Sequence, residues 1–163
     1  MLIQHTLFHP VLRTALAVLV DLAAAGSVAH AQTVAPAATP AAKYQQECAA
    51  CHMAYPPGML PAASWTRILG HLDKHFGVDA TLDDATLSVL STWLPANAGT
   101  FRRVREAPPQ DRITQSNWFI RQHDEVPAAT WKRVSIKSAS NCAACHAGAA
   151  KGNFNEDDVR IPK

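Results

Sequence analysis

The sequence is short of several things. It has four cysteines, and all of them fall in two identical five-residue peptides, so none lies outside that one motif. Beyond residue 31 it has two methionines, Met53 and Met59. It has no long apolar run. The longest stretch near the amino terminus, Thr14 to Ala25, is broken by Asp21, well short of the roughly 20 apolar residues a membrane span needs. No segment alternates apolar and polar residues as a half-buried strand would. Only 17% of residues are charged and the formal net charge is +2, which leaves no electrostatic case for nucleic-acid binding.

What is present is the peptide CAACH, as Cys48-Ala49-Ala50-Cys51-His52 and again as Cys142-Ala143-Ala144-Cys145-His146. Two cysteines two apart, followed at once by histidine, form the attachment signal for a c-type haem. Each thiol adds across a vinyl group and the adjacent imidazole can bind the iron. Three other uses of CxxC pairs fit less well. Zinc sites place their pairs about 15–20 residues apart, whereas Cys51 and Cys142 are far more distant. A thioredoxin-type dithiol wants a βαβ context. Two structural disulfides would leave both histidines unexplained. The cofactors expected are therefore two covalently bound haem c groups, attached through Cys48, Cys51, Cys142 and Cys145. Their four ionised propionates would turn the formal charge negative.

Residues 1–31 read as a secretory signal peptide. Arg13 precedes the apolar stretch, which ends in the small-x-small signal Ala29-His30-Ala31. Residues 32–43 are Ala/Pro-rich and read as a flexible linker, and residues 44–163 as one dihaem domain. The expected location is the periplasm, with no membrane insertion after cleavage. Haem attachment on the oxidising side of a bacterial membrane agrees with that. The remaining chain of roughly 130 residues has a limited core of its own, so the porphyrins should supply much of the surface it packs against.

The fold class expected is mainly α, with short helices and long loops wrapped around the two haems. Helices are expected over 43–51, over 65–76 with Ser64 as N-cap and Gly77 as stop, over 82–94 with Thr81 and Asp84 as capping pair and Pro95 as terminator, and over 117–124. Another turn or two is expected within 128–133. Residues 96–113 read as irregular. The second CAACH has almost nothing after it, so its partners should come from before.

The sixth ligand of each iron decides between carrier and catalyst. Of eight histidines, three lie in the signal region, and His52 and His146 serve as proximal ligands. That leaves His71, His75 and His123 for two distal positions. Met53 adjoins His52 and cannot reach round its own haem, and Met59 sits in a proline-rich loop. On a helix over 65–76, Trp65, Leu69, Leu72 and Phe76 fall within about 60° of one another. His75 lies at the edge of that face and His71 further round. His75 is the preferred ligand, with His71 as the alternative. The two could also hold zinc, but no carboxylate signature supports it. His123, beside the apolar Trp118-Phe119-Ile120, is the candidate for the second haem. Sequence separation does not distinguish this from the crossed pairing of His123 with the first iron and His75 with the second. Arg67, Arg121 and Arg160 are candidate propionate partners, and the cluster Arg102, Arg103 and Arg105 reads as a solvated loop, with docking or propionate binding as the alternative. The tryptophans read as core.

The segments ECAACHMAYPPGMLPAASW, HLDKHFGVDATLDD, ITQSNWFIRQHDEVPAATW and NCAACHAGAAKGNFNEDDVRIPK resemble a family of small periplasmic dihaem cytochromes c, over residues 44–163. The resemblance implies electron transfer through two bis-histidine haems, with His52 and His146 proximal and His75 and His123 distal. It implies as partners a membrane b-type cytochrome and a soluble oxygen-binding monohaem cytochrome c. With both irons saturated, the protein is expected to be an electron carrier and not an enzyme. The rival reading, a small haem enzyme or gas-binding protein, needs one open iron.

Overall fold

The first helix, α1 (Pro40–Cys48), starts on Pro40 at a position where proline's missing N–H costs nothing. The Thr39 hydroxyl caps it by accepting from the Ala42 N–H at 3.2 Å. The structure, a computed structural model, describes residues 38–163. The signal-peptide expectation lies outside the described residues. The helix expected over 43–51 is thus displaced toward the amino terminus, taking in the last residues of the Ala/Pro-rich stretch.

The second helix, α2 (Ala62–Leu69), buries Trp65 and Leu69. It begins earlier and ends sooner than expected. Ser64 is not its cap but a fully buried residue of its first turn. Gly70, which disfavours continuation by about 1 kcal/mol relative to alanine, terminates it. The chain then makes a 3₁₀ turn over Leu72–Lys74 and reverses through Phe76 (φ 49°) and Gly77 (φ 102°). The Leu72 carbonyl closes this loop by accepting from both His75 N–H (3.3 Å) and Ala80 N–H (2.8 Å).

The third helix, α3 (Asp84–Ala96), is capped by Asp83, whose carboxylate accepts from the Thr86 N–H. Thr81, expected to share that task, instead donates to Asp79. Pro95 is carried inside the last turn, and Asn97 ends the helix with its N–H on the Trp93 and Leu94 carbonyls. Helices α1 and α2 both pack on α3. Their joint core is Tyr44, Ala54, Leu60, Trp65, Leu69, Leu90 and Leu94. Tyr44 lies between Trp65 and Trp93 at ring separations of 6.1 and 5.7 Å.

Beyond residue 97 the described chain has one α-helix, α4 (Asn117–Gln122), capped by the Ser116 hydroxyl. The rest is successive 3₁₀ turns, among them Thr130–Lys132 and Cys142–Ala144. The described residues contain no strand longer than an isolated bridge, as expected. No helix among them is long and apolar enough to cross a membrane.

Candidate haem centres

The two CAACH peptides sit on different scaffolds. The first straddles the end of α1, with Cys48 its last residue. The second is a 3₁₀ turn in which the Cys142 carbonyl accepts from the N–H groups of Cys145 (3.2 Å) and His146 (2.8 Å). The four thiols are unpaired. Burial, with the Glu47 charge second, pushes the Cys48 thiol up to about 11. Burial also raises Cys142 and Cys145. A redox-active dithiol requires the opposite, a lowered thiol pKa, so this microenvironment disfavours disulfide chemistry.

The histidines come together in two pairs. His52 faces His75 with ring centroids 6.1 Å apart. His123 faces His146, also at 6.1 Å. Metal–imidazole bonds of about 2 Å on opposite sides of one atom require a centroid separation of roughly 6 Å. Both pairs therefore have the spacing of two rings with a single iron between them. His71 is exposed and joins neither pair. The helical-wheel ground for preferring His75 does not hold, because α2 ends at Leu69. The reversal at 72–77 is what carries His75 to His52.

Hydrogen bonding prepares the rings as ligands. A carbonyl can only accept, so His52 Nδ1–H donates to the Met53 carbonyl (2.7 Å) and His123 Nδ1–H to the Phe119 carbonyl (2.9 Å). Each leaves Nε2 with its lone pair free, the arrangement in which an outer partner orients a metal-binding imidazole. Burial first, and then the facing histidine, lower the pKa of His75 and of His146, which keeps their lone pairs available. His146 Nδ1 is buried without a partner.

The second pair opens on a cleft of about 780 Å³ lined by Trp118, Phe119, Trp131, Cys142, Phe154 and others, within the roughly 300–1,000 Å³ of small-molecule and cofactor sites. Arg103 and Arg121 also line it. Arg67 is engaged elsewhere, in a bidentate pair with Asp111. Arg160 is turned onto the Asp157 and Val159 carbonyls. Among the described residues no three His, Cys, Asp or Glu side chains form a metal cluster, so His71 and His75 have no third zinc ligand.

Two features escaped the sequence reading. Tyr55 lies on the His52 ring (4.9 Å, 25°) and donates its hydroxyl to the Ser140 carbonyl (2.8 Å). It thereby joins the first site to the segment leading into the second. The tail after residue 146 also contributes. Phe154 lies 5.4 Å from His146, and Arg160 N–H bonds the Cys145 carbonyl, so the second motif does have partners after it.

A dihaem cytochrome c family model matches residues 44–154. The chain belongs to the dihaem cytochrome c family. It is similar to the dihaem cytochrome type c of Shewanella baltica OS155, with 37% identity over 77% of this chain and 95% of that one and a TM-score of 0.68. The crystal structure of the dihaem cytochrome from Rhodobacter sphaeroides is 44% identical over 69% of this chain and 95% of that one, with a TM-score of 0.60. No curated protein sequence matches. This dihaem cytochrome c is thus an electron-transfer haem protein with two haem c groups and a mostly helical fold, in a family whose members are typically exported. The chain's own groups fit those cofactors: two cysteine pairs, two imidazole pairs and an aromatic cleft.

Proposed function

We propose that the protein is a periplasmic electron carrier in which each haem is held between two histidines. Cys48 and Cys51 attach the first, ligated by His52 and His75. Cys142 and Cys145 attach the second, ligated by His146 and His123. The observation that carries this reading is the pairing of the four imidazoles at 6.1 Å, which favours the uncrossed assignment. A haem held between two imidazoles supplies a one-electron couple with no open coordination position, at a lower potential than methionine ligation would give. The residues keep the rings oriented through the Met53 and Phe119 carbonyls and exclude a third ligand by occupying both faces. Arg103 and Arg121, which line the second cleft, are the proposed propionate partners.

A membrane b-type cytochrome is the proposed donor and a soluble monohaem cytochrome c the proposed acceptor. The support is family resemblance, together with the low potential expected of bis-histidine sites. Export by a signal peptide cleaved after Ala31 is part of the same reading, and amino-terminal sequencing of the mature protein should begin at Gln32.

Near-infrared and EPR spectra of the oxidised protein test the ligation. Two low-spin bis-histidine centres are expected, and the reduced protein should bind no carbon monoxide rapidly. A methionine or water signature at either iron, or stoichiometric carbon monoxide binding, would overturn it.

A further inference from the structure

The two histidine pairs share a separation and differ in rotation. The ring planes of His52 and His75 are 21° apart. Those of His123 and His146 are 77° apart. Rotation of an imidazole about its metal–nitrogen axis is soft, so whatever packs on the ring decides it.

At the first pair, Tyr55 lies nearly parallel to His52 (25°) while the Met53 carbonyl holds Nδ1. Tyr55 is itself held at both ends: its hydroxyl binds the Ser140 carbonyl, and its own carbonyl accepts from the Tyr44 hydroxyl at 2.6 Å. At the second pair, the buried Phe119 lies on His123 at 4.0 Å and 20°. The Phe119 carbonyl takes Nδ1–H of the same ring. His146 meets Phe154 at 58°. Each ring of the crossed pair thus has its own aromatic neighbour, Phe119 for His123 and Phe154 for His146.

We propose that these aromatic residues act as positioning residues that set the ligand planes near-parallel at one iron and near-perpendicular at the other, so that the two centres are electronically unlike. This rests on the bis-histidine reading above. An imidazole donates through its π system into the metal d orbital perpendicular to its plane. Parallel rings feed the same orbital and split the pair widely. Crossed rings feed both orbitals equally and leave them nearly degenerate. The axial ligands and their outer shell are among the levers by which a protein tunes haem iron, and here one chain sets that lever differently at its two sites.

Low-temperature EPR of the oxidised holoprotein tests this, with near-infrared magnetic circular dichroism reporting ligand identity independently. The expected result is two signals of equal spin count, one rhombic with three resolved features and one a single feature at low field. Phe119→Leu should shift the low-field signal toward the rhombic form while the bis-histidine near-infrared band persists, and Phe119→Tyr should restore it. Phe154→Leu, which acts on the facing ring, is expected to shift the same signal and serves where Phe119→Leu does not fold. Two overlapping rhombic signals in the parent protein would overturn the inference, as would an unmoved low-field signal in a variant that retains both haems. A methionine or water band would instead remove the ligand assignment beneath it.

Discussion

His71 and His75 show how little separates a ligand from a solvated side chain. Both sit just past α2, four residues apart. One is exposed, and the other lies 6.1 Å from His52. Histidine count and adjacency to CAACH are visible in the string of letters. The choice between these two depends on a chain reversal through a positive φ at Phe76 and Gly77, which no periodicity announces. His75→Ala should convert one of the two haems, half of the low-spin absorption, to high-spin. His71→Ala should leave the optical spectrum of both unchanged. Gly99 is a second position where a single atom matters. Its N–H binds the Leu60 carbonyl, and an added Cβ would collide with the Gly58 carbonyl oxygen and the Val104 side chain. Gly99→Ala should cost roughly 1–3 kcal/mol, read as a lower urea midpoint of the holoprotein.

At the scale of elements, the helices follow from local chemistry and their ends from competition. Proline at the first position and a Thr39 cap start α1, Gly70 ends α2, and Asp83 displaces the Thr81–Asp84 pair at α3 because Thr81 is drawn to Asp79. Ser116 does double duty at α4: its hydroxyl donates to the Ile113 carbonyl (2.7 Å) and accepts from the N–H of Phe119 (3.2 Å). Ser116→Ala should cost about 1 kcal/mol, and because Phe119 packs on His123 it should also disturb the second haem's spectrum and spare the first. Between elements, Arg67 of α2 clasps Asp111 with two hydrogen bonds, at 2.9 and 2.6 Å. Gln110 and Asp111 both sit at positive φ, a conformation that costs a non-glycine residue energy. Burial pushes the Asp111 carboxyl up, but hydrogen bonds from Arg67 and Ser64 outweigh it, so the net shift is downward. A lowered folded pKa adds stability above the ordinary carboxylate range, and that stability is lost as pH falls through the folded value. Asp111→Asn should therefore lower the urea midpoint at neutral pH, and its gap from the parent should close in strongly acid solution.

Over the whole molecule the apolar core is uneven. The cluster of Tyr44, Ala54, Leu60, Trp65, Leu69, Leu90 and Leu94 lies under α1, α2 and α3. Phe119, Ile136 and Ala149 are the buried hydrophobics of the stretch after residue 113, where backbone turns surround the cleft at His123 and His146. A domain of this size needs more than that to offset chain entropy, and the second haem is what the cleft would close on. Replacing Cys142 and Cys145 together by alanine should leave the helical circular dichroism of α1–α3 largely intact. Residues beyond 113 should become sensitive to limited protease digestion, mapped by mass spectrometry. Cofactor type and number, the mainly helical class and the pool of histidines are legible in the order of residues, because thioether attachment and helix capping use residues adjacent in the chain. Which histidines meet, how their rings are turned, and the tie from Tyr55 to the approach of the second site arise only when the chain is folded. Those depend on contacts between residues as far apart as 55 and 140, and local spacing carries no information about them.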